Sequence, residues 1–354
     1  MPNVGKSTLF SALTRRQVPR ENYPFCTIEP NVGCVEVPDP RLLKLAEIEH
    51  SQKIIYATVN FVDIAGLVAG AHKGEGLGNK FLSHIRETDA IAMVVRVFED
   101  ENVAHVAGKI DPLRDIEIIE MELALADLAA VSKKIEVLAP KAKAQDKQAI
   151  FELNIYKKIE EALNAQIPVR KLEFSPEEQT LVNQLFLLTA KAILYILNIS
   201  DAQISEREKI RADFAKKLNV AETQIIPISA KIETEIAELP REEAQEILKS
   251  YNLSHSALDE IILAAYKTLD LISFLTAGEK EARAWTIKKG FTAPEAAGEI
   301  HTDFQNKFVK ADVVSFEDFV GAPGWVQAAQ KGLVRSEGKD YIFQDGDVVF
   351  FKHG

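Results

Sequence analysis

Residues Asn3, Val4, Gly5, Lys6, Ser7 and Thr8 carry the last three fixed positions of the phosphate-binding pattern G-x-x-x-x-G-K-[ST]. In such a loop, backbone N–H groups at the start of a helix surround phosphate oxygens. Lys6 would reach the β- and γ-phosphates, and the hydroxyl of Ser7 would bind Mg²⁺. The leading glycine of the pattern would fall one residue before Met1, so the strand that feeds the loop is expected upstream of the sequence as given.

A phosphate loop needs partners, and they follow in order. Thr27 lies some twenty residues after Ser7, ahead of a strand, where a first switch loop would offer a second hydroxyl to Mg²⁺. Asp63-Ile64-Ala65-Gly66 has the D-x-x-G form, in which the carboxylate holds Mg²⁺ through water and the N–H of Gly66 senses the γ-phosphate. The glycine-dense run from Leu67 to Gly78 reads as a second switch. Leu67 stands where many regulatory GTPases carry a glutamine that orients the attacking water. Another group must do that work. His105 and His72 are the catalytic candidates beside Lys6, each weighed against the plain reading of a solvated loop histidine. Asn3 is a further candidate, placing K⁺ against the β/γ oxygens in the part of an arginine finger.

Base recognition falls on Asn198-Ile199-Ser200-Asp201, at the position of N-K-x-D in guanine-specific proteins. Asp201 keeps the carboxylate that pairs guanine N–H groups, but Ile199 lacks the lysine stem that stacks along the base. Ser229-Ala230-Lys231 matches the S-A-K loop that completes such a pocket.

These residues need a frame. Val32–Val37, Ile54–Val62, Ala90–Phe98, Ala192–Leu197 and Gln224–Ile228 read as strands, the third nearly continuous in apolar residues, as in a parallel sheet buried on both faces. With helices between them, the economical fold is a doubly wound α/β sheet, of which residues 1–118 and 180–270 form the nucleotide-binding domain. Residues 119–179 interrupt it. Met121, Leu125, Leu128 and Ile135 line one helical face and Leu153, Tyr156, Ile159 and Leu163 a second, in an expected coiled-coil-like hairpin broken by Pro140 and the Lys/Gln-rich stretch to Lys147. Ser175-Pro176-Glu177-Glu178 is a helix start. Residues 271–354 change character: short strands and one helix near Pro294–Ile300 suggest a β-grasp domain.

Composition sets bounds. The 354 residues are 47% hydrophobic and 27% charged, enough for two or three domains with cores. No apolar run is long enough to span a membrane, and no secretion pattern opens the chain, so a cytoplasmic protein with Cys26 and Cys34 as reduced thiols is expected. A net charge of −11 argues against coating nucleic acid nonspecifically, and no sequence-specific DNA partner is expected. It leaves open a local basic patch on structured RNA. Lys133, Lys134, Lys141, Lys143 and Lys147 cluster on the hairpin with acids interleaved, equally readable as a solvated face.

The ordered motifs give the chain a strong likeness to known proteins. P-N-V-G-K-S-T at 2–8, Y-P-F-C-T-I-E-P-N at 23–31 and D-I-A-G-L-V-A-G-A-H-K-G-E-G-L-G-N at 63–79 resemble the YchF/Obg-like ATPase family. So do H-V-A-G-K-I-D-P at 105–112, R-A-W-T-I at 283–287 and Y-I-F-Q-D-G-D-V at 341–348. The resemblance implies a P-loop domain, a helical insertion and a C-terminal TGS domain of β-grasp fold. It also implies Mg²⁺-dependent hydrolysis of ATP in preference to GTP, and association with the ribosome through its large subunit. In that family Asn198 and Ile199 would contact adenine, and the apolar residue at Leu67 is a shared feature. The family usually has glutamate where Asp201 stands, which keeps a GTPase as the alternative. An adaptor that binds the ribosome with little hydrolysis is a third reading.

Overall fold

The structure, a computed structural model, describes residues 3–15, 31–64, 77–99 and 110–353. In chain order these form α1 (Lys6–Thr14), β1 (Val32–Glu36), α2 (Pro40–Glu49), β2 (Lys53–Ile55), β3 (Thr58–Val62), α3 (Leu77–Glu87) and β4 (Ala90–Arg96). There follow α4 (Pro112–Lys143), α5 (Lys147–Asn164), α6 (Pro176–Asn183), β5 (Ala192–Asn198), α7 (Arg207–Leu218), β6 (Ile225–Ile228), α8 (Ala230–Glu238), α9 (Arg241–Ser250) and α10 (Ala257–Thr268). The last stretch holds β7 (Leu271–Ala277), β8 (Glu281–Lys288), α11 (Ala293–Ile300), α12 (Thr302–Asn306), β9 (Phe308–Val314), α13 (Phe316–Gly321), α14 (Trp325–Gln330), β10 (Arg335–Glu337) and β11 (Val348–His353). The chain divides into two compact units, residues 1–9 with 62–238 and residues 10–61 with 239–354.

In the first unit β4, β5 and β6 make a parallel sheet in that order, with Ala90 opposite Ala192 and Tyr195 opposite Ile225. The apolar run of β5 is buried along nearly its whole length, so the sheet packs on both faces, against Ile116 of α4 and Phe214 of α7 among others. All three strands end on one side, at Arg96, Asn198 and Ile228. Ligands of α/β sheets bind at such carboxyl ends.

The helical insertion begins earlier than its heptad pattern suggests. Asp111 caps α4 by accepting from the N–H of Arg114, with Pro112 in the first turn, and a single helix of 32 residues runs on through Pro140. Pro140 gives up one bond, to the carbonyl of Glu136, with only three helical residues beyond it. Ala124, Leu128, Val131, Ile135 and Leu138 pack against Phe151, Ile155, Tyr156, Ile159 and Leu163 of α5. That seam keeps a 4-3-4-3 spacing and leaves the expected Met121 half-exposed. Polar clasps fix the arm. Asp127, fully buried, accepts from the N–H groups of Leu188 and Thr189 at 2.9 and 2.8 Å and from the Thr189 hydroxyl. Glu120 accepts from Tyr195 of β5 at 2.9 Å and from Arg170. Ser175 and Glu178 close a capping box at the start of α6, as expected.

In the second unit β1 pairs with β3, and a six-stranded sheet runs in the order β10-β9-β11-β7-β8-β2. β7 and β8 form an antiparallel pair, β11 lies parallel to β7, and α11 packs on one face around Phe274, Phe343 and Ile287, the arrangement of a β-grasp. The run Ile54–Val62 is not one strand. It breaks after Ile55, where Ala57 turns its carbonyl to the N–H of Val37. Its first part, β2, joins the C-terminal sheet parallel to β8, while β3 pairs with β1. Cys34 in β1 is disulfide-bonded and not the reduced thiol expected; Cys26 lies outside the described residues.

Candidate nucleotide site

The phosphate loop turns sharply before α1. Asn3 and Gly5 both take positive φ, 58° and 91°. At Gly5 a side chain is excluded twice, by the backbone conformation and because a Cβ would stand 2.3 Å from the amide nitrogen of Asn198. Val4 is buried, while Ser7 and Thr8 are exposed on the first turn of α1. Lys6 donates to the carboxylate of Asp63, the residue after β3, and both side chains keep some exposure. The two charges that the sequence assigns to phosphate and metal therefore meet.

Asn198, at the end of β5, works as a brace. Its Nδ2 donates to the carbonyl of Val4 at 3.0 Å and its Oδ1 accepts from the N–H of Ala230 at 3.1 Å. One amide thus ties the phosphate loop to the S-A-K corner, with both of its ends engaged. Ile199 is 2% exposed, and its N–H donates to the carbonyl of Ile228. Asp201 accepts from the Ser229 hydroxyl at 2.6 Å and from Lys231 at 3.0 Å. Burial opposes ionisation of Asp201, but those two donors outweigh it and hold its pKa below the ordinary carboxylate value. Lys231 was expected only as the last residue of the S-A-K loop; its contact with Asp201 was not. Its ammonium and the Ser229 hydroxyl occupy the two carboxylate oxygens that would accept from a guanine.

The structure thus brings together Asn3, Val4, Gly5, Lys6, Ser7 and Thr8 with Asp63, and links Asn198, Ile199, Asp201, Ser229 and Ala230 into one corner. Thr27, Gly66, His72 and His105 lie outside the described residues. The donor set fits Mg²⁺. Ser7 offers a hydroxyl and Asp63 a carboxylate, hard oxygen ligands of the kind that hold this ion together with substrate phosphates. Among the described residues no cluster of three or more His, Cys, Asp or Glu could hold a metal without a nucleotide.

A phosphate loop at a helix start, a carboxylate on its lysine and an N-x-x-D strand end braced to an S-A-K loop on a parallel sheet define a P-loop nucleotide-binding protein of the GTPase-like class. Family models agree. Residues 1–138 match the model MMR_HSR1, described as a 50S ribosome-binding GTPase, and residues 271–354 match YchF-GTPase_C, described as a protein of unknown function (DUF933). The chain is 50% identical to the ribosome-binding ATPase YchF of Bacillus subtilis, with 99% of the chain and 97% of that protein covered. It is 49% identical to the protein of that name in Haemophilus influenzae, with the same coverage. Among solved structures it resembles the YchF GTPase of Schizosaccharomyces pombe at 37% identity and a TM-score of 0.87, over 99% of this chain and 96% of that one. The chain belongs to the YchF family.

Proposed function

We propose that the chain is a Mg²⁺-dependent ATPase that works as a nucleotide switch on the ribosome. The observation that carries the nucleotide part is the Asn198 brace, which holds the phosphate loop and the base-side corner in one piece. Lys6 would leave Asp63 for the β/γ-phosphates, Ser7 and Thr27 would hold Mg²⁺, and Gly66 would report the γ-phosphate. The names of the bacterial relatives support ATP as the substrate and the ribosome as the partner. The description of the N-terminal model supports the large subunit. A ribosomal partner would be met in the cytoplasm. In this reading residues 1–118 and 180–270 bind nucleotide, 119–179 form the hairpin and 271–354 the TGS domain, which borrows α2 and β2.

A GTPase is the second reading. Asp201 favours it, since a charged carboxylate at this position can accept guanine N–H groups once Lys231 moves. Hydrolysis of ATP and GTP, each with and without ribosomal subunits, decides between them; no turnover under any condition would leave an adaptor. Water activation is settled in the same assay. His105→Ala or His72→Ala should cut turnover ~10²-fold with binding unchanged if an imidazole acts. Dependence on K⁺ over Na⁺ that Asn3→Ala removes would show the cation instead.

A further inference from the structure

Asp63 has a partner that a nucleotide would take away. Lys6 donates to it here, and in the nucleotide-switch reading the same ammonium moves to the β/γ-phosphates while Asp63 turns to the metal. Its neighbour Ile64 must follow that turn. Ile64 is packed, with Phe81, Ile91 and Ile119, against a buried cluster of Leu82 and Ile85 from α3, Leu123 from α4 and Leu188. One apolar cluster therefore touches the end of the D-x-x-G strand, α3 and the root of the helical insertion. Close-packed clusters do not stretch; they hold one arrangement or give way to another.

Polar contacts clasp the far end of α3 to the same root. Lys191 donates to the carbonyls of Arg86, at 3.1 Å, and of Thr88, groups left open where α3 ends. Arg86 donates through Nη1 to the carbonyl of Phe186 at 3.0 Å. Its Nη2 stands 3.8 Å from Asp127 of α4, near enough to pair and too far for a hydrogen bond. Asp127 in turn holds the N–H groups of Leu188 and Thr189. Phe186 is strained. Its φ is 48°, in the left-handed region that bulky residues rarely adopt, and its ring is 64% exposed, so packing of the ring does not hold it there. The Arg86 guanidinium grips the carbonyl of this strained residue and has a second acceptor, Asp127, within a short movement of its side chain.

Two arrangements thus compete at both ends of α3: Asp63 on Lys6 or on the metal, and Arg86 on Phe186 or on Asp127. We propose that α3 couples the phosphate site to the root of the helical insertion, with Arg86 as the latch that favours the empty state over the triphosphate-bound one. A triphosphate withdraws Lys6, moves Asp63 and Ile64, loosens Leu82 and Ile85 from Leu123 and Leu188, and frees Arg86 from Phe186. Such coupling is reciprocal: a partner that draws the insertion away from α3 opens the latch and favours the triphosphate. Arg86 is a positioning residue, since it bonds Phe186 and Asp127, neither of which is assigned to the nucleotide. This coupling rests on the nucleotide-switch reading and adds the route by which the switch reaches the insertion.

The test uses the full chain with Mg²⁺ and β,γ-imido ATP, and in parallel β,γ-imido GTP, so that base choice does not decide the outcome. Hydrogen exchange is read at the amides of Leu188 and Thr189, which Asp127 holds. A bound ligand ordinarily slows exchange, because it stabilises the folded chain. At these two amides the analogue should instead speed it at least ~5-fold, the lower end of ordinary coupling between sites. Arg86→Gln should show the fast exchange without nucleotide and should bind the analogue at least ~5-fold more tightly in isothermal titration. A residue that only supports the fold would weaken binding or leave it alone. Arg86→Lys, which keeps a cation for the Phe186 carbonyl, should return both values toward those of the unmodified chain. If the analogue binds and exchange at Leu188 and Thr189 is slowed or unchanged, the coupling is overturned in the unmodified chain, before any variant is needed. Equal or weaker affinity in an Arg86→Gln chain that circular dichroism shows to be folded overturns the latch. If neither analogue binds, the nucleotide-switch reading fails and takes the coupling with it.

Discussion

The side chain of Asn198 donates to the backbone carbonyl of Val4 at 3.0 Å, joining residues 194 positions apart. Val4 and Ala230, the two groups it holds, are both buried. Removing the amide strands a buried acceptor and a buried donor, each costing about 1–3 kcal/mol. Asn198→Ala should therefore lower the unfolding free energy by about 2–6 kcal/mol in urea without any nucleotide, and weaken ATP and GTP alike. Unchanged stability with altered base preference would mean that the amide reads the base instead of bracing the loop.

Lys6 and Asp63 form a partly exposed pair, so its loss should change stability by no more than about 1 kcal/mol. Binding is another matter. Lys6→Ala should abolish hydrolysis and weaken ATP more than ADP, because the ammonium is aimed at the β/γ-phosphates. Isothermal titration with both nucleotides checks this, and equal losses count against the assignment.

Base choice turns on Asp201 and its cover. Lys231 and Ser229 occupy both carboxylate oxygens, and Ile199 provides no lysine stem. We expect ATP to be bound several-fold more tightly than GTP. Lys231→Met should raise GTP affinity relative to ATP by releasing one oxygen of Asp201. Ile199→Lys, the obvious conversion toward N-K-x-D, would bury an ammonium at a 2% exposed position and should destabilise the fold as well. A competition assay in which the unmodified chain prefers GTP sinks the ATPase reading.

Much of this was legible in the sequence because the signals were local. The apolar runs of β4, β5 and β6 and the cap at Ser175 announce themselves within a few residues. The same cap chemistry opens α2, where Asp39 accepts from the N–H of Arg41 and Pro40 takes the first position. What stayed hidden depends on partners far away. Nothing in Ile54–Val62 shows that its first residues pair with β8. Leu128, Ile135, Tyr156, Ile159 and Leu163 lie in the heptad seam as expected, but Ala124 and Val131 hold the places given to Met121 and Leu125, because small Ala124 carries the seam as well as Leu does. Asn198 was legible as a nucleotide-site residue, but its role as a brace required the loop to be in place.

Asp127 gives a pH signature. Burial raises its pKa against the lowering effect of three hydrogen bonds and the Arg86 guanidinium 3.8 Å away. The folded state therefore keeps the proton to higher pH than the unfolded chain, whose aspartates titrate near about 3.9. The contribution of Asp127 to stability is greatest below that value and declines as pH rises through the folded pKa. Asp127→Asn lacks this titration and leaves buried donors at Leu188 and Thr189 poorly satisfied, so it should be less stable at every pH. The gap between the two should narrow as pH rises from 3 to 7 in urea unfolding. A gap that widens would mean the carboxyl is held below its ordinary pKa.

Arg41, in the first turn of α2, joins Asp39 at 2.8 Å and Asp345 of the D-G-D turn at 2.8 Å. Asp345 also accepts from the N–H of Ser273 in β7, and Gly346 donates its N–H to the carbonyl of the same serine. Gly346 has φ 88°, and a Cβ there would stand 2.6 Å from the Arg41 guanidinium. The glycine therefore serves two needs, a left-handed turn and the close approach that holds α2 and β2 on the C-terminal sheet. Gly346→Ala should cost about 1–3 kcal/mol from backbone strain, and more where Arg41 is displaced. The two contributions separate in a double-mutant cycle. In an Arg41→Ala background the clash is gone, so Gly346→Ala should cost less than in the unmodified chain, leaving a coupling of about 0.5–3 kcal/mol. Amide exchange at β2 and β8 should rise in both single variants, since β2 is the edge strand that this clasp retains. Additive costs, with exchange at Lys53–Ile55 unchanged, would show that the D-G-D turn serves its own strand alone.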